Sequence, residues 1–317
     1  MMATPDSQKT PMLGIVIVIY KSFDQILAYV RNELPKIALS WRAVIVDVGS
    51  DMANSSRIAE ALQIPLVNDV DASIEDSPVV ILHCAENLGY ARGNNLGVRF
   101  LLNHHSDIDK LLFSNDDIEL IDSNTVDHLA VRLDAQPDVA SIGPAVINLQ
   151  DTRLPPIFSK PELWYNVRRN IGIPFLGNAA FVHPWNPQCP SQIVYTVSGC
   201  FFMVRAADFL AAGMFDDRTF LYWEEEIIAA RFQAIGKKVL YEPEVCIRHF
   251  VGNTTGASKS TKAMFLLLRC ELAGQWLFFR DYAYAGFLSL LALKLSALIR
   301  TVLVRLALFK HALFSGR

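Results

Sequence analysis

Short runs of β-branched residues alternate with amphipathic stretches through the first half of the chain. These runs stay apolar at every position instead of alternating, which is typical of strands buried on both faces of a parallel sheet. The predicted strands are 13–20, 43–48, 78–84, 110–114 and 139–143. Strands separated by helical stretches in this way predict an α/β fold built from βαβ units.

Three predicted helices connect these strands. Ser22 or Asp24 is expected to cap the first and Asn54 or Ser55 the second, because short polar side chains accept hydrogen bonds from free helical N–H groups. The third helix spans 89–104. Ligands of open parallel sheets bind at the carboxyl ends of the strands. The loops expected to carry function are therefore 20–22, 47–53, 85–95 and 114–119.

Prolines recur through 150–195 and predict that regular structure is interrupted there. A connection of this length is either a functional loop or a disordered segment. Strand-like patterning returns at 194–205 and again at 237–243. We expect a flexible N-terminus at 1–12 and a domain at 13–257, with a donor half at about 13–145 and an acceptor half at about 146–257.

The composition is that of a folded protein, with 52% hydrophobic and 19% charged residues among 317. A net charge of −3 supplies no basic surface for nucleic acid, so we expect no nucleic-acid partner. The five cysteines are widely spaced and form no C-x-x-C pair, which favours a reducing compartment. The N-terminus carries no apolar stretch long enough for a secretion signal.

The charge is distributed unevenly along the chain. From Ser258 to the C-terminus, nine Lys and Arg stand against two acidic residues, a net charge of +7 that leaves −10 on the rest. This segment is also rich in Leu, Ala and Phe and is helical by composition. Because Lys294, Arg300 and Arg305 interrupt it, we expect helices lying in a membrane interface rather than a simple span. Helices that pack on the domain or on another subunit are the alternative.

Two motifs at predicted strand ends carry candidate chemistry. NLGYARGNNLG (87–97) opens a predicted helix, where glycines let backbone N–H groups approach a ligand, although a glycine-rich turn is the simpler explanation. SNDDIEL (114–120) places Asn115, Asp116 and Asp117 where they could share Mg²⁺ or Mn²⁺, although a solvated turn is equally consistent. Asp47 also ends a strand and could accept hydrogen bonds from a base or ribose.

Two further features lie in the second half. LYWEEE (221–226) sets three carboxylates beside a tryptophan expected to be exposed, although most acidic triplets are solvated helix starts. His249 follows a strand-like segment, and with Asp117 it could complete a metal site.

Taken in order, these motifs resemble the family 2 glycosyltransferases, and in particular their rhamnosyltransferase-like branch. The resemblance covers roughly 13–270. It rests on IVIVIY (15–20), VDVGS (46–50), NLGYARGNNLG (87–97), FSNDDIEL (113–120), GMFDDRTFLYWEEE (213–226) and YEPEVCIRHFVGNTTG (241–256). It implies a GT-A fold, which is a Rossmann-like, mainly parallel sheet with flanking helices, here followed by an apolar and basic helical extension over 258–317.

The resemblance also implies roles for individual residues. Asp117 is expected to hold a metal bound to the donor diphosphate, with assistance from His249, and Glu225 falls where the family has its catalytic base. Glu224 and Glu226 remain open as alternatives for that base. Contacts to the donor nucleotide are expected from Tyr20, Asp47, Asn87, Gly89, Arg92, Gly93, Asn94, Asn95, Asn115 and Asp116. Trp223, Gly199 and Cys200 are expected at the acceptor site.

The function expected from this resemblance is that of an inverting, Mg²⁺- or Mn²⁺-dependent glycosyltransferase. It would move rhamnose or a similar hexose from a nucleotide-diphosphate donor to a saccharide or lipid-linked acceptor in cell-surface polysaccharide synthesis, at the inner face of the cytoplasmic membrane. Lys21, Val48 and Ile227 differ from the family pattern, so a silent nucleotide-sugar-binding scaffold stays open. A sugar nucleotidyltransferase is disfavoured, because 20–25 contains no glycine for a phosphate loop.

Overall fold

The protein forms one mixed α/β unit around a single sheet of eleven strands, in a computed structural model that describes residues 12–74, 76–172, 186–250 and 261–314. The strands are β1 (Met12–Ile19), β2 (Trp41–Val48), β3 (Leu66–Val67), β4 (Val79–Cys84), β5 (Ile108–Ser114), β6 (Ile118–Leu120), β7 (Val139–Ile147), β8 (Arg153–Leu154), β9 (Gln192–Val194), β10 (Phe201–Arg205) and β11 (Lys238–His249).

The sheet order is β3-β4-β2-β1-β5-β10-β7-β11-β6, with β8 on β7 and β9 on β11. The first five strands in this order are mutually parallel, as the continuous apolar runs predict. β10 then runs antiparallel between β5 and β7. Both halves of the predicted domain therefore contribute to one sheet, and the predicted fold class is confirmed.

Nine helices within the described residues flank the sheet. They are α1 (Asp24–Asn32), α2 (Met52–Leu62), α3 (Gly89–His104), α4 (Thr125–Asp134), α5 (Leu163–Asn170), α6 (Ala206–Ala211), α7 (Glu224–Ala234), α8 (Thr261–Leu277) and α9 (Phe287–Phe314). A short 3₁₀ turn at Leu34–Lys36 follows α1, and a π-helical turn at Phe278–Tyr282 follows α8.

The predicted capping residues of the first two helices are wrong. Helix α1 starts at Asp24 after Phe23, and no side chain caps it. Helix α2 begins at Met52, and its cap is Asp51, whose Oδ1 accepts a hydrogen bond of 2.9 Å from the Asn54 amide. Asn54 and Ser55 therefore lie inside the first turn of α2, and their side chains donate hydrogen bonds to Asp47.

The proline-rich region 150–195 contains more regular structure than its composition predicts. Helix α5 forms between Pro161 and Pro174, where no proline interrupts the chain. Strands β8 and β9 also lie in this region and join the sheet. Residues 173–185 lie outside the described part of the chain.

The C-terminal helices pack on the body. Trp223 packs against Phe278 and Phe279 in tilted and edge-to-face contacts, with ring centroids 5.3 and 5.8 Å away, and the Tyr282 hydroxyl donates to Asp216 at 2.5 Å. Helix α9 lies against α5 and α8. The predicted boundary at 257/258 lies outside the described residues. Among the described helices, one segment, Phe287–Leu308, is long and apolar enough to cross a membrane, judged by length and composition alone.

Candidate active site

Asp117 and His249 meet at one end of the sheet. Strands β6 and β11 pair antiparallel with His249 opposite Ile118, which brings the imidazole Nε2 to 3.2 Å from the Asp117 Oδ1. Burial opposes the charging of this imidazole, but hydrogen bonds to Asp117 and Cys200 outweigh it and raise the pKa of His249 to about 10. The two residues predicted to hold a metal therefore form an ion pair in this structure.

Asn115 and Cys200 complete the same cluster. Strands β5 and β10 pair side by side, and just beyond them the Asn115 amide donates to the Cys200 carbonyl at 2.9 Å. The Asn115 side-chain nitrogen lies 3.5 Å from the His249 Nε2. Residues from three separate parts of the sequence thus converge, namely Asn115 with Asp117, Cys200, and His249.

Asp116 points to a different neighbour from Asp117. It is buried, and its Oδ2 accepts a hydrogen bond from the Ser22 hydroxyl at the end of β1. Burial raises the pKa of Asp116 to about 6, and the nearby Asp117 carboxylate adds to the shift. Asp116 and Asp117 both line a cavity of about 310 Å³ beside α1. The predicted donor role of Asp116 therefore requires a ligand that enters beside Ser22.

Asp47 is fully buried and is held by groups of the protein itself. Its Oδ1 accepts from the Ser50 hydroxyl, and its Oδ2 accepts from Asn54 at 3.1 Å and from Ser55 at 2.6 Å. The first turn of α2 thus folds onto the end of β2. In this conformation both carboxylate oxygens face the protein, so the role of Asp47 in nucleotide binding stays a prediction.

The glycine-rich motif 87–97 makes close contacts inside the protein. Gly89 has φ +72°, and an added β-carbon would lie 2.7 Å from the Phe220 ring. A β-carbon on Gly93 would come within 2.9 Å of Val18, so this glycine lets α3 lie close against the sheet. The Asn87 Oδ1 accepts a hydrogen bond of 3.1 Å from the Gly89 backbone amide. These contacts show that the motif packs the start of α3 against the rest of the protein, and its part in donor binding stays a prediction.

The remaining predicted donor residues differ in exposure. Asn94 and Asn95 are buried: Asn94 donates to the Tyr90 carbonyl at 2.9 Å, and Asn95 donates to the Phe215 carbonyl at 3.0 Å. Arg92 is exposed and pairs with Glu86 at 3.1 Å. Tyr20 is 39% exposed at the carboxyl end of β1. Of these residues, Tyr20 and Arg92 have side chains accessible to a ligand.

The acidic triplet opens helix α7. Glu224 is 2% exposed, and its Oε1 has no hydrogen-bond partner among the described residues. Glu225 and Glu226 instead line a large cleft. Burial raises the pKa of Glu226 to about 8, with the Glu225 charge adding to the shift. Two of the three candidates for the base therefore face a space that a substrate can enter.

Gly199 and Tyr90 fix the position of Glu225. A β-carbon on Gly199 would lie 2.7 Å from the Glu225 Cδ, so the carboxylate occupies the space that a side chain would need. Burial raises the pKa of Glu225, against hydrogen bonds from its own amide and that of Gly199. The Tyr90 hydroxyl donates to the Gly199 carbonyl at 2.5 Å. Because Cys200 is the next residue, the Gly199–Cys200 backbone links the two groups, with Glu225 lining the large cleft and Asp117 lining the cavity beside α1.

The cleft has a volume of about 740 Å³. Its lining includes Tyr222, Trp223, Glu225 and Glu226 from the start of α7 and the segment before it, and Ser198 beside Gly199. Helices α5, α8 and α9 contribute Arg169, Met264, Leu267, Leu268, Glu271, Arg300 and Val304. The position of the cleft next to the carboxylates makes it the candidate acceptor site.

Trp223 corrects one expectation from the sequence. The sequence predicts an exposed side chain, but Trp223 is buried, with 7% of it exposed. Gly274 of α8 leaves room for the indole, since a β-carbon added to Gly274 would lie 2.7 Å from the ring. The Trp223 backbone is left-handed, with φ +74°. The sequence reasoning also missed Tyr90, Arg169, Glu271 and Arg300. Tyr90 lies within the motif 87–97, but no local motif marks Arg169, Glu271 and Arg300, which converge only through the packing of separate helices.

A second cluster of potential metal ligands lies elsewhere. The donor atoms of His128, Glu242 and Glu244 lie within 4.8 Å of one another. The fully buried Glu242, however, already accepts hydrogen bonds of 2.6 Å from Arg132 and from Ser191. The guanidinium supplies the positive charge that a cation would bring, so the Asp117 cluster is the better candidate.

Comparison with known proteins supports the fold alone. No known family's sequence profile matches the chain, and no curated protein matches it. Among solved structures, the chain is similar to the mannosyltransferase PcManGT from Pyrobaculum calidifontis in complex with GDP-Man and Mn²⁺, with a TM-score of 0.54 and 13% identity. That match covers 98% of this chain and 78% of the other.

Two other structures are similar over most of this chain. GalNAc-T7 with UDP, GalNAc and Mn²⁺ gives a TM-score of 0.53 at 13% identity, covering 83% of this chain and 48% of that one. TarS of S. aureus gives 0.50 at 11% identity, covering 86% and 40%. The chain thus spans half or less of these two proteins. The fold is the GT-A type of glycosyltransferases, as the sequence predicts.

Proposed function

We propose that this protein is a metal-dependent glycosyltransferase that transfers a hexose from a nucleotide-diphosphate donor to an acceptor with inversion. The observation that carries the proposal is the Asp117–His249 pair, 3.2 Å apart at the sheet end of a GT-A-type fold. The mannosyltransferase and GalNAc-T7 structures, which hold nucleotides and Mn²⁺, support this reading. Rhamnose as the sugar and cell-surface polysaccharide synthesis as the pathway are part of the proposal through the sequence resemblance.

The residues around Asp117 fit a divalent cation. A carboxylate, an imidazole and an amide converge there, and hard oxygen donors suit Mg²⁺ and Mn²⁺. Asp117 and Cys200 raise the pKa of His249, and because an imidazole binds a metal only in its neutral form, a bound ion would replace the proton that His249 holds against Asp117. Asp117 and His249 would hold the ion, which when bound neutralises negative charge on the departing diphosphate.

We assign Glu225 the role of general base, which accepts the proton of the acceptor hydroxyl. As the acceptor oxygen bonds to the anomeric carbon, the carbon–oxygen bond to the diphosphate breaks and the diphosphate leaves with the electron pair. The acceptor's hydroxyl proton passes to the Glu225 carboxylate, a step worth about 10²–10⁴-fold in rate. Gly199 holds this carboxylate at the cleft, which supports Glu225 over the buried Glu224.

We also propose that the protein lies at the inner face of the cytoplasmic membrane, and the exposed apolar side of helix α9 supports the membrane contact. Its outer side bears a row of exposed apolar residues: Leu288, Leu291, Leu295, Leu298, Val302 and Leu306. Lys294 and Arg305 lie instead over Trp276 and Phe265 of α8, and Arg300 turns inward to Glu271. With these cations held against the protein, the side of the helix that remains exposed is apolar, as suits a membrane interface. Contact between two copies of the chain is the alternative use of this face.

The test is release of nucleoside diphosphate from a panel of UDP-, GDP- and dTDP-sugars with Mg²⁺ or Mn²⁺. We expect turnover of one donor, and a loss of about 10²–10³-fold in Asp117→Ala, because charge stabilisation of the leaving group is removed. Asp138→Ala, an exposed carboxylate paired with Lys238, is the matched control and should behave as wild type. Binding of a nucleotide sugar without any turnover would favour the silent scaffold.

A further inference from the structure

Two arginines line the cleft and share one carboxylate. Arg300 of α9 binds the Glu271 Oε2 at 2.8 Å, and Arg169 of α5 donates to the other oxygen of the same carboxylate. One negative charge therefore faces two guanidinium groups. The three side chains come from three different helices and lie next to Glu226, whose pKa both Arg169 and Glu271 influence.

A buried polar network holds this group in place. Asn170 is fully buried and donates to Gln275 at 3.0 Å and to Ser296 at 3.2 Å, while its Oδ1 accepts from Arg300 at 3.2 Å. Gln275 and Ser296 are also buried. The guanidinium of Arg300 is thus fixed before any ligand arrives, which lowers the entropic cost of binding. Arginine in a fixed position suits bidentate recognition of phosphate or carboxylate.

The cleft beyond the arginines is apolar. Met264, Leu267, Leu268 and Val304 lie on its α8 and α9 side, and Leu154 and Ile157 also line it. Met264, Leu154 and Ile157 are each more than a third exposed, so a ligand would remove apolar surface from water. Each square ångström of such surface contributes about 25 cal/mol. The cleft therefore offers carboxylates at one place, a cationic pair beside them, and an aliphatic surface.

We propose that the cleft binds an acceptor that carries a phosphate group next to an apolar chain. Arg169 and Arg300 hold the phosphate, the chain lies on Met264, Leu267 and Val304, and the reactive hydroxyl faces Glu225. This inference rests on the proposed function and assigns its acceptor a chemical class. It also gives the C-terminal helices a direct part in substrate binding.

The test is a calorimetric titration of the full-length protein with dodecyl phosphate below its micelle concentration. Inorganic phosphate and dodecyl maltoside are the comparison probes, since each retains one half of the recognised chemistry. We expect dodecyl phosphate to bind at least tenfold more tightly than either. Arg169→Gln should weaken it about tenfold, whereas Arg168→Gln, the same change one residue away, should not.

A second variant keeps the test decisive if Arg169→Gln does not fold. Met264→Asp leaves the arginine network intact but adds a negative charge to the cleft, and it should also weaken dodecyl phosphate binding about tenfold. The inference is overturned if dodecyl maltoside or inorganic phosphate binds as tightly as dodecyl phosphate. It is also overturned if Arg169→Gln and Met264→Asp both bind dodecyl phosphate with wild-type affinity. Failure of the glycosyltransferase proposal looks different: the donor panel is then silent, while Arg169-dependent binding of dodecyl phosphate persists.

Discussion

The space beside Gly199 is taken by the Glu225 carboxylate, and this makes Gly199→Ala an informative substitution. The new β-carbon would lie 2.7 Å from Cδ and 2.9 Å from Cγ of Glu225. Ordinary carbon–carbon contacts are about 3.5–4.0 Å, so the carboxylate must move by about 1 Å. The far end of a glutamate side chain can make this movement, and we expect a small change in stability. A base displaced by about 1 Å loses about 10²-fold in rate, which corresponds to about 2.7 kcal/mol in the barrier.

The assay compares transfer with donor binding. We expect Gly199→Ala to lower kcat for transfer about 100-fold while the Kd for the nucleotide sugar, measured by calorimetry, stays within twofold. Gly286→Ala is the matched control, because an added β-carbon there meets nothing within 4 Å. Wild-type kcat in Gly199→Ala, with both proteins folded, would refute the assignment of Glu225 as the base. An equal loss in Gly286→Ala would show that the effect is not local.

Two further predictions concern stability and membranes. The folded pKa of Glu226 is raised to about 8, so its contribution to stability is complete below its unfolded pKa of about 4.5 and is lost as pH rises through 8. The Tm of Glu226→Gln relative to wild type should therefore rise progressively from about pH 4.5 to about pH 8 and then level off, and a pH-independent difference would contradict this. For the exposed face of α9, Leu298→Glu should reduce sedimentation with anionic vesicles at least fivefold. Val131→Glu, an equally exposed position on α4, should not, and equal sedimentation of all three proteins would favour the oligomer contact.

The parallel half of the sheet was predictable, because strands buried on both faces leave continuous apolar runs that can be read directly. The residues that begin and cap the helices were harder to predict from the sequence. Asp51 caps α2 because its side chain reaches the Asn54 amide, while Asn54 and Ser55 turn toward Asp47. Sequence alone does not reveal which of several polar neighbours the backbone will use.

The candidate site also has one part that the sequence predicts and another part that it does not. Asp117 and His249 could be predicted as partners, since each lies at or just beyond the predicted end of a strand of one sheet. The burial of Trp223 depends on Gly274, about fifty residues later in the chain, and the Arg169–Glu271–Arg300 group depends on three helices meeting. Such contacts leave no pattern in the residues around each member, so they emerge only from the packed structure.

The central claim is that Asp117 and His249 hold a divalent cation for a nucleotide-diphosphate donor. Anomalous diffraction from crystals grown with Mn²⁺ and a nucleoside diphosphate tests it most directly. We predict a Mn²⁺ peak within about 2.5 Å of the Asp117 carboxylate, with the diphosphate in contact with the ion. A peak confined to His128, Glu242 and Glu244, or nucleotide bound without Mn²⁺ at Asp117, would contradict the account.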